Sequence, residues 1–450
     1  GPTLRLDLTE ALATACRQNR EFLARREGLY RAGLSIALTR FEFGPQFAAA
    51  VNYLWRNSEL GGEAQRSGGS VSASQILPTG GRVSVSAGLD ADWLDGTSQA
   101  FFGTNTGISL TQPLLRGAGP EIAYEALTQA ERGLVYAVRE FELFRQGFSI
   151  QIAQQFFGLS SQRQTLANGD RNYENAVFDT RKAEALQQVG RNSEQEVFRA
   201  RRREIDAKDQ LINARATYDR AVDNFSIVLG LPTTTDLELA DVEPPYEPVR
   251  FEVTSAIAAA RANRLDLLTG RQRLQDTERA LRIAENGLLP DLSLTANYGT
   301  AGSGDDLGVA APDQWSSSIG LSLGVPLQRK AQRNSYRSAL IALEQARRGL
   351  QQTEDQLELD IRDAVRRLRS TEERIALQEA QIVQEERAQT VIQIRYDAGT
   401  ADNRDLFEAR QALIDARNAL IRLKVEHFIA RLSLQKDMGI FFVDDRGMWR

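Results

Sequence analysis

The sequence predicts a mainly helical protein that also carries membrane-type β-structure, arranged as two tandem copies of one unit. Three observations support this fold class. Short motifs recur at a near-constant offset, two segments of almost 70 residues contain no proline, and the segments preceding them alternate apolar and polar residues. Internal repeats of this kind mark duplicated supersecondary units. Each copy should therefore run helix, β-hairpin, long helix, turn and long helix.

The duplication is clearest in two motifs. Gly190, with Val-Phe-Arg-Ala-Arg at 197–201, recurs 209 residues later as Gly399, with Leu-Phe-Glu-Ala-Arg at 406–410. A Gly-x-Ser-Leu-x-x-Pro-Leu motif at 107–114 recurs at 320–327. A proline-rich stretch between the copies cannot continue a helix and reads as a linker. The expected divisions are a first repeat over 1–230, a linker over 231–252, a second repeat over 253–439 and a tail over 440–450.

Long helices should make up most of the chain. The proline-free segments 121–189 and 331–398 would each extend roughly 100 Å at 1.5 Å per residue. In the second, leucine and isoleucine recur at spacings of three and four residues, which predicts left-handed coiled-coil packing. A glycine-containing turn then leads into a shorter antiparallel helix. The remaining helices are predicted at 8–41, 193–229, 253–288 and 403–438.

Strands are predicted where every second residue is apolar, as in Phe47, Val51 and Tyr53, with small or polar residues between them. One apolar face and one small polar face suit a barrel wall between lipid and water. A soluble antiparallel sheet with one wet face has the same pattern and remains open. The predicted strands lie at about 47–57, 104–113, 291–299 and 316–326, and the first copy has an inserted hairpin at 70–90. Whether this hairpin lengthens the barrel wall or forms an extracellular cap stays open.

Four strands cannot close a barrel that has an interior. Open sheet edges are not tolerated in lipid, because their N–H and C=O groups would have no partners. If the sheet lies in a membrane, other copies of the chain must therefore close it. Three copies would supply twelve strands and twelve helices.

Composition argues against catalysis and nucleic-acid binding. One histidine, one cysteine and two methionines make a metal centre or a histidine-based catalytic centre improbable, and the net charge of −5 indicates no basic face. The sequence has no nucleophile elbow and no phosphate-binding loop. We expect no enzyme activity, no cofactor, no metal site and no nucleic-acid partner. A coiled-coil scaffold outside the membrane is the alternative, although it would not explain the duplicated strands.

Together these motifs resemble the TolC-like outer-membrane factors, or outer membrane efflux proteins, over residues 8–440. The resemblance rests on the duplicated strand ends, on Pro45 and Pro290 before the strands, and on Arg-Tyr-Asp-Ala-Gly-Thr at 395–400. It implies a homotrimer with a 12-stranded β-barrel in the outer-membrane lipid, continuous with a 12-helix α-barrel in the periplasm. It also implies an exit duct for a tripartite efflux pump or a type I secretion system, partnered by a periplasmic adaptor (membrane fusion) protein and an inner-membrane transporter.

The resemblance places the gate at the helical tips. Asp405 and Glu408 are one helical turn apart and match the family's acidic constriction, so three copies would place six carboxylates around the axis. A solvated helix face is the alternative for this pair. Tyr396 matches the tyrosine of the family's latch, and Glu196 falls where its carboxylate partner is expected.

One latch residue departs from the family pattern. Ala401 stands where the family has an arginine, and Arg404 or Arg191 are the candidates to replace it. The same tips are expected to receive the adaptor, because the family's adaptor-binding grooves surround the turn glycines. The residues expected there are Gly190, Arg191, Ser193, Gly399 and Thr400.

Overall fold

The computed structural model describes residues 4–58, 62–94, 100–191, 193–240, 244–248, 251–306, 310–398, 400–401 and 403–449. The elements as far as the linker are β1 (Leu4–Leu6), α1 (Leu8–Gln18), α2 (Arg20–Glu42), β2 (Gln46–Ser58), β3 (Gly62–Ile76), β4 (Arg82–Leu94), β5 (Phe101–Pro113), α3 (Pro120–Ala123), α4 (Glu125–Gln188), α5 (Glu194–Leu229) and β6 (Leu237–Leu239). Those that follow are α6 (Val253–Asn263), α7 (Leu265–Asn286), β7 (Asp291–Gly304), β8 (Gln314–Gly324), α8 (Lys330–Asp397) and α9 (Asn403–Asp437).

The chain forms two compact units. The first comprises Gly1–Glu27, Arg139–Leu268 and Gln352–Arg450, and the second comprises Gly28–Val138 and Thr269–Gln351. Each unit draws on both predicted repeats, so the compact units do not follow the repeat boundaries. None of the described helices is both long and apolar enough to cross a bilayer.

A single antiparallel sheet of six strands lies in the second unit, in the order β2-β3-β4-β5-β7-β8. The inserted hairpin, formed by β3 and β4, lies between β2 and β5, and β5 pairs with β7. The expectation of four strands in two separate pairs is therefore wrong. The reason is that the insertion pairs with its neighbours along its whole length. At six strands per chain, three copies would supply eighteen strands rather than twelve.

The core of the first unit forms where α1, α4, α5 and α9 meet. Its largest fully buried side chains include Phe156, Phe157, Phe225 and Leu12. The C-terminal tail belongs to this core, because Phe441 is buried in it and the amide of Gln146 donates to the Phe441 carbonyl at 2.8 Å. The linker is fastened to the N-terminal segment, since β6 pairs in parallel with β1.

Two helices predicted as continuous are each broken once. The segment 8–41 is divided at Asn19 and the segment 253–288 at Arg264, and both of these residues have extended backbone. Asn19 then caps α2, because its side-chain oxygen accepts from the Phe22 N–H at 2.8 Å. Its side-chain NH₂ group donates to the Val228 carbonyl at 2.7 Å. The break is thus held by α5, from a distant part of the chain.

Two glycines 209 residues apart pack against these breaks. Gly230 and Gly439 end α5 and α9 with φ values of 80° and 70°. A Cβ on Gly230 would lie 2.3 Å from the Gln18 carbonyl oxygen, and one on Gly439 would lie 2.7 Å from the Asn263 carbonyl carbon. Only glycine combines a positive φ with so close a backbone approach. The same closing device therefore occurs at both positions.

Candidate functional site at the helical tips

The long helices of the first unit lie side by side in the order α5, α4, α9, α8. Arg201 on α5 pairs with Glu184 on α4 at 2.8 Å. The Asn168 side chain on α4 donates to that of Asn418 on α9 at 2.7 Å, and the Gln378 side chain on α8 donates to the Ala416 carbonyl on α9 at 3.3 Å. We call α4 with α5 the first helical hairpin and α8 with α9 the second. Their turns, with the adjoining helix ends, are the first tip and the second tip.

Backbone hydrogen bonds close the first tip tightly. Gly190 has a φ of 74°, and its N–H donates to the Gln187 carbonyl at 2.8 Å. The Arg191 N–H donates to the Leu186 carbonyl at 2.9 Å, which completes a Schellman motif. Ser193 then caps α5, because its hydroxyl accepts from the Glu196 N–H at 3.3 Å. Gly190, Arg191 and Ser193 are exposed, so the predicted adaptor-binding residues are accessible.

The second tip is closed by the equivalent bond. The Thr400 N–H donates to the Arg395 carbonyl at 2.8 Å, and the Thr400 hydroxyl donates to the same oxygen at 3.1 Å. Thr400 and Arg395 lie 209 residues beyond Arg191 and Leu186, which make the corresponding bond in the first tip. Gly399, the remaining predicted adaptor-binding residue, lies outside the described residues.

The two predicted gate acids lie on the exposed face of α9. Asp405 and Glu408 are exposed, whereas Leu406 and Ala409 beside them are buried. The Arg404 guanidinium donates to Glu408 at 2.6 Å, as expected if this were only a solvated helix face. The packing of α9 thus leaves both carboxylates outside the hairpin, and the predicted ring of three copies remains a prediction.

Tyr396 is held by a lysine that the sequence did not single out. The Lys182 ammonium lies 4.5 Å from the centre of the Tyr396 ring and 3.6 Å from the Asp397 carboxylate. Glu196 instead accepts a hydrogen bond from Arg199 at 2.8 Å. Among the described residues of one chain, no hydrogen bond joins Tyr396 to Glu196. Burial, then the charge of Asp179, with a smaller part from Glu196, raises the pKa of Tyr396.

Beneath Tyr396 lies a second ion pair that sequence reasoning missed. The Arg410 guanidinium on α9 donates to Asp179 on α4 at 3.1 Å and to Gln393 on α8 at 3.0 Å. Burial raises the pKa of Asp179, although Arg410 and Lys182 oppose this shift. A sequence signal existed, because Asp179 stands among Ala176, Thr180 and Ala183, a stripe of small residues that are buried. A charge in such a stripe predicts a buried partner.

The missing latch arginine has no direct substitute among the two candidates. Arg404 pairs with Glu408, and Arg191 is exposed at the first tip. Lys182 is the cation that contacts Tyr396. In the described part of the chain, no group of His, Cys, Asp or Glu side chains is arranged to hold a metal ion.

Comparison with known proteins shows what the chain is similar to. The family described as "Outer membrane efflux protein" matches residues 256–439. The alkaline protease secretion protein AprF of Pseudomonas aeruginosa is 25% identical over 353 residues, which cover 74% of this chain and 69% of AprF. Part of the chain is therefore similar in sequence to outer membrane efflux proteins. Outer membrane protein TolC of Escherichia coli is 25% identical over 245 residues, 51% of this chain and about half (48%) of TolC.

The fold also has a counterpart among solved structures. The outer membrane protein VceC of Vibrio cholerae superposes with a TM-score of 0.71 at 16% identity, over 96% of each chain. At this identity the likeness concerns the fold alone. By their names, TolC is an outer membrane protein and AprF is a secretion protein. The alternative of a scaffold outside the membrane is not favoured.

Proposed function

We propose that three copies of this chain form the exit duct of a tripartite efflux pump or a type I secretion system. The sheets would lie in the outer membrane and the helices in the periplasm. Cargo would arrive from an inner-membrane transporter through a periplasmic adaptor and pass outward passively. The gate would lie at the helical tips, with Asp405, Glu408, Tyr396 and Glu196. The adaptor would bind around Gly190, Arg191, Ser193, Gly399 and Thr400.

The observation that carries this proposal is that, within the described residues, one chain leaves the outer edges of its β-sheet and of its row of helices uncovered. Within the described residues, β2 and β8 are the edge strands of the sheet, and neither has a partner on its outer side. Both expose large apolar side chains, among them Val51 on β2 and Ile319 on β8. An exposed apolar edge invites pairing with another strand. Because β2 and β8 run in opposite directions, neighbouring copies can pair them in antiparallel fashion.

The outer helices of the row also expose apolar side chains. Phe198, Ile205 and Ile212 on α5 are spaced by seven residues, and each is exposed by 58% or more. Their counterparts 209 residues later, Phe407, Ile414 and Ile421 on α9, are half-buried. The opposite edge of the helix row, α8, exposes Leu377, Val391 and Ile394. Apolar residues at heptad spacing are a coiled-coil seam, and α5 of one copy fits α8 of the next.

Head-to-tail contacts of this kind close into a ring when the rotation between copies allows it. The family resemblance supports three copies. Among possible cargoes, AprF is by name a secretion protein and aligns with most of this chain, which favours polypeptide export as the first version to test.

The proposal can be tested by measuring the mass of the assembly and its channel conductance. Protein extracted in detergent should have a protein mass, by light scattering, of three times the 50.0 kDa of one chain. The same preparation should form discrete channels in planar bilayers. A folded monomer that stays soluble without detergent and forms no channels would contradict the proposal.

A further inference from the structure

The inserted hairpin departs from the four strands expected for this family, and its pairing is complete. On one side β3 pairs with β2 from Gln46↔Ser74 to Ser58↔Gly62, and on the other side β4 pairs with β5 from Arg82↔Thr111 to Asp92↔Phe101. A surface lid would leave the edges of β2 and β5 free to meet each other. Instead the hairpin separates them and extends the sheet by two strands.

The hairpin also continues the apolar face of the sheet. Residues paired across an antiparallel ladder point to the same side. Val85 on β4 pairs with Ile108 on β5, and Ile108 pairs with Tyr298 on β7. All three side chains are about half exposed, and the alternate residue of β4, Ser84, pairs with Ser109. The apolar side of the duplicated strands therefore runs on without interruption across β4.

Three of the four tryptophans in the chain lie on this apolar face. Trp55 on β2 and Trp93 on β4 both pair with Gln65, so they lie on the same face of the sheet and at the same position along the strands. Trp315 lies next to the first residue of β8, at the loop end of its strand, and the register places it on the same face. Aromatic residues at one end of an apolar band mark a membrane–water interface. The insertion contributes one of the three.

Polar contacts hold the hairpin in place on the opposite face and at its turn. Gly68 on β3 leaves room for the side chains of Asp90 and Asn52, since a Cβ there would lie 2.3 Å and 2.9 Å from their oxygens. At the turn, the Thr79 carbonyl accepts from the Gln112 side chain and from the Gly119 N–H, both at 3.0 Å. The hairpin is thus anchored to β5 and to the loop that follows it.

We propose that the inserted hairpin spans the outer membrane as part of the wall, so that each copy contributes six membrane strands and the pore is closed by eighteen. This inference rests on the proposed function, because it assumes the ring of three. Barrel diameter grows roughly in proportion to strand number, so the exit would be about half again as wide as one of twelve strands. Barrels of sixteen to eighteen strands enclose open aqueous channels. The helical tips, rather than the barrel, would then select the cargo.

Paired single-cysteine variants test which face of β4 meets lipid. Val85→Cys and Ser84→Cys probe the insertion, and their register partners Ile108→Cys and Ser109→Cys are the matched controls on β5. Each would carry a fluorescent label in reconstituted vesicles. Nitroxides on lipid acyl chains should quench positions 85 and 108 several-fold more than 84 and 109. Iodide in the aqueous phase should give the opposite order.

Native Cys16 does not interfere with this labelling. It is buried, and burial raises the pKa of its thiol to about 11, so little thiolate exists near neutral pH. If quenching no longer differs between positions 84 and 85 but still differs between 108 and 109, the eighteen-strand wall is overturned, and the proposed duct is not. If quenching does not alternate at any of the four positions and no channels form, the proposed duct itself is overturned.

Electron cryo-microscopy of the wild-type assembly provides a second test that needs no variant. A ring with eighteen strands, β4 lying between β3 and β5, is the expected result. A closed ring of twelve strands with the hairpin outside the wall would overturn the inference even if every cysteine variant failed to fold.

Discussion

The two tips share one closing hydrogen bond and differ in charge. Arg191 and Thr400, which lie 209 residues apart, each donate to the carbonyl five residues earlier. At the next pair of equivalent positions, the first tip has Glu196 and Arg199, which pair with each other at 2.8 Å. The second tip has Asp405 and Glu408 instead. The shared bond gives the last carbonyl groups of a helix a partner, which every helix end needs, whereas only the second tip carries an excess of negative charge.

The helices behind the tips differ in what covers them. The heptad residues of α9 are half-buried, while those of α5 are exposed, although the residue types correspond. The difference comes from position in the row of helices, because α9 lies between α4 and α8 and α5 lies at an edge. Equivalent apolar positions thus have unequal burial, and we propose that the uncovered positions on α5 face a neighbouring copy.

The largest effect is expected from a charge placed in the uncovered seam. Ile205→Glu should abolish the trimer and all channel activity, because assembly would bury three carboxylates without partners. The folded chain should keep its helical content, since Ile205 is 68% exposed in one chain. Light scattering and circular dichroism measure the two outcomes separately.

Gln210→Glu is the matched control for this change. It adds the same charge to the same helix at an exposed position outside the seam, and it should assemble normally. A trimer of unchanged mass and stability for Ile205→Glu would show that α5 does not form the interface.

The closing glycines predict a smaller effect, on folding rather than assembly. Gly230→Ala should destabilise the first unit by about 2–4 kcal/mol, because it combines a left-handed backbone with a clash against Gln18. Gly190→Ala has a similar φ, yet nothing lies within 4 Å of its Cβ position, so it should cost only about 1–2 kcal/mol. Thermal denaturation at one scan rate should rank the two. Equal losses would mean that the contact with the α1–α2 break contributes nothing.

The same glycines show what the sequence could and could not predict. Periodicity located the long helices and the alternating strands, because these patterns depend on neighbouring residues. The break at Asn19 was missed, since it is held by Gly230 and Val228, more than 200 residues away. The place of the inserted hairpin, in the wall or in a cap, was left open for the same reason. Its alternation is local, but its partners in β2 and β5 are set by pairing.

At the tips, the residues were located by resemblance and their partners were not. Tyr396 was identified as a latch residue, but the cation that contacts it comes from α4 in the first helical hairpin. No spacing rule connects Lys182 with Tyr396, because they lie on different helices. The two hairpins of one chain are thereby joined at the point where a gate would have to open.

Loosening this junction should raise conductance. Tyr396→Phe together with Glu196→Gln should increase single-channel conductance in planar bilayers, because it removes the phenol–carboxylate bond proposed between neighbouring hairpins. Lys182→Met should also increase it, by releasing Tyr396 and Asp397 from α4. Arg201→Met serves as a control, since its pair with Glu184 joins α4 to α5 within one hairpin. Unchanged conductance in both test variants would contradict the proposed latch.

The smallest predicted effect separates the second tip from the first by charge alone. Asp405→Asn with Glu408→Gln should weaken block by multivalent cations about tenfold, or roughly 1.4 kcal/mol, because a ring of carboxylates concentrates cations at the axis. Glu204→Gln with Asp206→Asn removes the same charge from α5 at positions beside the apolar seam and should leave the block unchanged. If both double variants respond equally, the block reflects overall charge. If only the first responds, the charge that distinguishes the two tips faces the conducting path.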